Sequence, residues 1–209
     1  MTFHHGVTGN EPSSGLVYVK ETATAVIGLV AFADDADPDF FPANTPVRLG
    51  NMNAGIAKAG YEGNLRRTLE TFQAIVNTTV VVVRIPDPFT IDGDEISLDD
   101  SKVIGSTLPS GQRTGIQALL TAKSILGITP KINIAPDVET PDVVQALISV
   151  NKKLRGFSYV TPRDANGNIL ATKEAAVAYR DSLGERELMI LYPELISGNV
   201  LLGVEDSGE

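Results

Sequence analysis

Apolar and polar positions alternate with two different periods along the chain. Thr24 to Phe32 is a continuous apolar run broken only by Gly28, the pattern of a strand covered on both faces. Leu16-Val17-Tyr18-Val19 is β-prone and predicts a shorter strand before it. Pro46-Val47-Arg48-Leu49 reads as an edge strand, because a proline at its start has no N–H to give a ladder. At Asn64 the period becomes helical: Leu65, Leu69, Phe72 and Val76 form one stripe, with Asn64 suited to the N-cap. Thr79 to Ile85 is almost wholly β-branched and predicts a central strand.

Residues 86 to 110 are acidic and rich in turn formers, so they predict a long connection with one helical turn near Ser101 to Ile104. Regular alternation follows. A helix is expected from Gln112 to Leu126, closed by Gly127, then a strand from Lys131 to Ala135. Thr140-Pro141-Asp142 supplies an N-cap, a proline in the first turn and an acid there, opening a helix with Val143, Leu147, Val150 and Leu154 on one face. Strand Phe157 to Thr161, a turn at Asn166-Gly167, a helix from Thr172 to Leu183 stopped by Gly184, and strand Glu187 to Tyr192 complete the series. Repeated βαβ crossovers predict an α/β fold with a mostly parallel sheet, helices on both faces and an extended N-terminal arm over residues 1 to 20. Residues 21 to 209 form the α/β part.

Composition narrows the function classes. The 209 residues are 43% hydrophobic and 21% charged, as in an ordinary globular chain. The net charge of −9 argues against nucleic acid or an anionic membrane as partner, and with no cysteine there is no thiolate nucleophile, disulfide or Cys-ligated zinc. No apolar run approaches the roughly 20 residues that span a bilayer, and no signal-like start is present, so a cytosolic protein is the default expectation.

In parallel sheets, ligands gather at the carboxyl ends of strands. Each such end here is followed by proline and then a carboxylate: Asp87, Asp137, Asp164 and Glu194. Convergence of the four on a divalent cation would make a cation-dependent α/β hydrolase. Prolines that stop strands and acids that start turns account for the same pattern, and no histidine, lysine or nucleophile joins the set. Asp164-Ala165-Asn166-Gly167-Asn168 imitates a calcium loop, but Ile169 replaces its glycine and Ala175 its bidentate glutamate. His4 and His5 are the only histidines; adjacent on an extended segment, they point apart and chelate poorly. Neither a phosphate-binding glycine loop nor a nucleophile elbow occurs. No catalytic residue, metal site or cofactor is therefore assigned. Arg66, Arg67, Lys152, Lys153 and Arg155 are candidate docking cations, although Lys152, Lys153 and Arg155 also suit a helix C-terminus.

The order of particular segments goes further. His4-His5-Gly6-Val7, Thr24 to Val30, Ala33-Asp34-Asp35-Ala36-Asp37 with Phe41-Pro42, Gly55 to Gly60, Val80 to Arg84, Thr114 to Leu120, Lys153 to Val160 and Arg186 to Ile190 together resemble contractile-phage tail sheath proteins, from about residue 4 to residue 196. That resemblance implies a structural subunit and no enzyme. Such subunits stack as hexameric rings around a tail tube, are held extended by a baseplate, and contract to drive the tube through the host envelope. It further implies a virion tail component of a phage or prophage particle, assembled in the bacterial cytoplasm and needing no cofactor. Extended arms add strands to neighbouring sheets in this family. Here His5, Gly6 and Val7, with Val17, Tyr18 and Val19, are the expected N-terminal contribution. Sheath proteins are considerably longer and carry a tube-facing C-terminal domain, so this chain is expected to be a truncated subunit lacking that domain, monomeric or weakly oligomeric when isolated.

Overall fold

A computed structural model describes residues 26–75, 78–92, 95–193, 196–197 and 200–201. The expected arm, with His5, Gly6, Val7, Val17, Tyr18 and Val19, lies outside them, as does Glu194. In chain order the elements are β1 (Ile27–Phe32), β2 (Pro46–Leu49), α1 (Met52–Lys58), α2 (Leu65–Ile75), β3 (Val80–Ile85), β4 (Phe89–Asp92), β5 (Glu95–Leu98) and α3 (Asp100–Ile104). A 3-10 helix (Gly115–Thr121) then runs into α4 (Ala122–Leu126), followed by β6 (Ile132–Ile134), α5 (Pro141–Leu154), β7 (Ser158–Val160), α6 (Lys173–Leu183), β8 (Leu188–Ile190), β9 (Ile196–Ser197) and β10 (Val200–Leu201).

The main sheet has the order β2-β3-β1-β6, with β1 parallel to both β3 and β6 and the edge strand β2 antiparallel to β3. Strand β7 continues it: the Asn133 N–H donates to Phe157 O (2.8 Å) and the Phe157 N–H to Lys131 O (2.7 Å). Strand β8 lies parallel beyond β7. The mixed α/β sheet therefore keeps one direction everywhere except at its proline-started edge.

Side-chain alternation divides β1 and β3 between two cores. Val30 and Phe32, with Val81, Val83 and Ile85, meet Val103, Ile116, Leu119 and the α5 residues Val143, Leu147 and Val150 on one face. Leu29 and Ala31, with Val80 and Val82, meet Phe41, Ile56, Leu65 and Leu69 on the other. Each such large aliphatic side chain, fully buried, stabilises the fold by about 1.5–3 kcal/mol. Gly28 is required by close approach: a Cβ there would lie 2.3 Å from Asn133 Oδ1 and 2.9 Å from Pro130 Cβ.

Three local expectations change. The connection after β3 contains the β4–β5 hairpin, anchored by Phe89 and Leu98 against the first core. The expected helix from Gln112 begins only at Gly115 and winds as a 3-10 turn before α4. Asn64 precedes α2 and its carbonyl accepts from the Thr68 N–H, yet its side chain is spent elsewhere, as described below. By contrast, Thr140 and Thr172 cap α5 and α6 through their hydroxyls, and left-handed Gly127 and Gly184 end α4 and α6.

Candidate functional site

The carboxyl edge of β6 and β7 concentrates buried charge. Asn64, 1% exposed, is its hub. The Phe32 N–H donates to Asn64 Oδ1 (3.0 Å), while Asn64 Nδ2 donates to Pro136 O (2.8 Å) and to Asp137 Oδ2 (3.1 Å). One amide side chain thus ties the end of β1 to the loop after β6. Asp137 sits in the left-handed region at φ 69°, a conformation that aspartate tolerates better than bulkier residues. Its Oδ2 accepts from Arg67 Nη2 at 2.6 Å, and its Oδ1 lies 3.8 Å from Arg163 Nη2.

Two residues on, Glu139 Oε2 accepts from Arg163 Nε at 3.2 Å, and Arg163 also donates to Gly167 O at 2.8 Å. Burial pushes the Glu139 carboxyl up to about 7, with the Arg163 charge opposing the rise. Behind it, burial and then the Glu139 charge raise the Tyr179 hydroxyl to about 12. Arg67, Asp137, Arg163 and Glu139 therefore form a charge-balanced chain linking α2 to the ends of β6 and β7. A cleft of about 300 Å³ opens beside it, lined by Phe72, Ile134, Tyr159 and Leu191 as well as by Arg67 and Arg163.

This arrangement holds elements together. Its two carboxylates are each engaged by an arginine. The candidate cation ligands serve separate local purposes: Asp87 Oδ1 accepts from the Phe89 N–H, Asp137 binds Arg67, and Asp164 accepts from the Asn166 and Asn168 N–H groups of its own turn. Among the described residues no group of three or more histidines or carboxylates is placed to hold a metal.

The docking cations differ in how far they are already used. Arg66 pairs with Glu70 (2.9 Å) and stacks over Tyr61 at 4.2 Å, Arg67 with Asp137, and Lys152 with Glu185 (2.7 Å). Lys153 and Arg155 have no ion-pair partner among the described residues. Sequence reasoning missed Asn64, Glu139 and Arg163 as a set. Glu139, two positions from Asp137 and next to the Thr140 cap, carries no local signal of burial, and Arg163 reaches it from the segment after β7.

No family model matches the chain. Individual proteins do. It is 36% identical over 197 residues, 93% of its length, to the tail sheath protein of Escherichia phage P2, and 35% identical over 201 residues to the major tail sheath protein of Serratia phage KSP20. The chain is homologous to tail sheath proteins. A prophage protein of Pseudomonas aeruginosa, described as a major tail sheath protein, is 29% identical over 195 residues. The chain spans about half the length of these curated relatives: 48%, 49% and 47%. Among solved structures, the cryo-EM structure of the anti-feeding prophage baseplate in its contracted state aligns over 76% of this chain and 40% of its own, with 14% identity and a TM-score of 0.38, too distant to bear on the fold. These sheath homologues are structural proteins of phage and prophage tails.

Proposed function

We propose that the chain is a structural subunit of a contractile tail sheath, surrounding the tail tube and contracting to drive it through the host envelope. The observation that carries this reading is the 36% identity to the phage P2 sheath protein across 93% of the chain. A site built of paired charges, with its carboxylates neutralised by arginines, agrees with a scaffold whose job is to transmit force. The partners are other sheath subunits in hexameric rings, the tube and the baseplate. The location is the tail of a phage or prophage particle assembled in the bacterial cytoplasm. The chain corresponds to part of a longer subunit, and the arm at residues 1 to 20 adds strands to neighbours through His5-Gly6-Val7 and Val17-Tyr18-Val19.

Deleting the gene in a bacterium that produces the particles tests this. Electron microscopy should then find bare tubes or no tails, with sheathed tails restored by the gene in trans. Normally sheathed tails after deletion would contradict it.

A further inference from the structure

The turn between β7 and α6 carries a reactive pair of residues. Asn166-Gly167 is the single Asn-Gly step in the sequence. Asn166 is exposed at the tip of the turn, and Gly167 follows it at φ 85°, a conformation that favours glycine. Every other asparagine among the described residues has its carboxamide in a hydrogen bond. Asn168, two positions on, donates from Nδ2 to Asp164 Oδ2 at 3.3 Å and is followed by the branched Ile169. The Asn166 carboxamide makes no such bond among the described residues; only its backbone N–H is bound, to Asp164 Oδ1 at 2.8 Å. One residue thus combines an unrestrained carboxamide with an unhindered neighbour.

The surrounding turn restrains the other reactant. The Gly167 N–H donates to Asp164 O at 3.1 Å. The Asp164 carboxylate closes the same turn by accepting from the Asn166 and Asn168 N–H groups, both at 2.8 Å. While these bonds hold, the Gly167 nitrogen keeps its proton and its place. Its carbonyl faces a different network: Gly167 O accepts from Arg163 Nη1 at 2.8 Å, and the Nε of that guanidinium pairs with the buried Glu139.

We propose that Asn166 is a site of spontaneous covalent modification, restrained by Asp164 and coupled through Gly167 to the buried Arg163. When the turn opens, the Gly167 nitrogen gives its proton to hydroxide or water and attacks Asn166 Cγ. The N–Cγ bond forms, the Cγ–Nδ2 bond breaks, and ammonia leaves with a proton taken from solvent. Water then opens the five-membered imide. Attack at Cγ leaves aspartate in an unaltered backbone. Attack at the α-carbonyl leaves isoaspartate, with the main chain running through Cβ and Cγ. That product lengthens the backbone by one carbon, about 1.5 Å, between Asp164 and Gly167. The Gly167 carbonyl can then no longer keep its place against Arg163, so a change at the surface reaches the buried Arg163–Glu139 pair.

Timed incubation of the purified chain at mildly alkaline pH, native and in denaturing urea, tests this by mass spectrometry of the tryptic peptide Asp164 to Lys173. The amide-to-acid mass gain should fragment to position 166, and an isoaspartyl methyltransferase assay should find isoaspartate there. Conversion should be faster in urea than in the native chain, and Asn166→Gln should abolish it. Asp164→Ala should speed native conversion by about two- to tenfold, the effect of losing one net hydrogen bond. Amide exchange at Gly167 should rise with it while exchange in β3 stays unchanged, which separates opening of the turn from loss of the fold. The isoaspartate form, isolated by ion exchange, should melt about 2–4 °C below Asn166→Asp, which carries the new charge on an unaltered backbone. A peptide without isoaspartate in either incubation, equal rates in urea and in the native chain, an Asp164→Ala rate equal to that of the wild type, or an isoaspartate form as stable as Asn166→Asp would each overturn the proposal. None of these outcomes bears on the sheath reading.

Discussion

Arg163 and Glu139 meet inside the carboxyl edge of the sheet, Nε 3.2 Å from Oε2, with side chains only 9% and 7% exposed. A buried pair of this kind need not add net stability, yet removing one partner strands the other's charge. Arg163→Met should therefore cost about 3–5 kcal/mol. Adding Glu139→Gln to it should recover a good part of that loss. Urea denaturation of the two single variants and the double variant measures the coupling, and additive losses would show that the pair is not the unit described.

The same carboxyl makes stability depend on pH in a defined direction. Its value in the folded state is about 7, raised from 4.5. Between those values the folded protein binds the proton more tightly than the unfolded chain, so the group's contribution is fully present below about 4.5 and is lost as pH rises through about 7. Relative to Glu139→Gln, the wild type should lose up to about 3 kcal/mol across that window and then level off. Denaturation curves for both proteins from acid to neutral pH give the difference, in which the other titrating groups cancel.

Asn64 separates a local role from a long-range one. Were its side chain only a helix cap, Asn64→Ala would cost about 1 kcal/mol. Because it accepts from Phe32 N–H and donates to Pro136 O and Asp137 while buried, the loss should instead be about 2–4 kcal/mol, with several polar groups left unpaired. Amide exchange at Phe32 should accelerate as well, since that N–H loses its acceptor.

Gly28→Ala should destabilise by about 1–3 kcal/mol, because the methyl group meets Asn133 and Pro130 across the β1–β6 boundary. Asn133 has little freedom to yield. Its Nδ2 donates to Asn151 Oδ1, whose Nδ2 donates to Ser158 Oγ, which returns a bond to Asn133 O, closing a buried ring between β6, α5 and β7. Thermal unfolding of the variant is sufficient to measure the effect.

Which parts of this were legible in the sequence follows from the range of the interactions. Strand β3 and helix α5 were readable because a β-branched run and a capped apolar stripe are local signals, written within one element. The β4–β5 hairpin was hidden because its acids and turn formers resemble a loop, and only packing of Phe89 and Leu98 against the distant core makes it a pair of strands. The charge chain was hidden more deeply, since Arg67, Asp137 and Arg163 are brought together by crossovers of many residues. Proline followed by acid after the strands located the correct edge of the sheet, but Asp137 is held there by Arg67 and Arg163, which no spacing rule predicts.

Antibodies raised against this chain and visualised with gold on intact particles test the central claim most directly. Label should run along the whole outer length of extended tails and crowd into a shorter, wider zone on contracted ones. Label confined to the tail tip, or absent from tails of particles whose producers carry the gene, would contradict the assignment to the sheath.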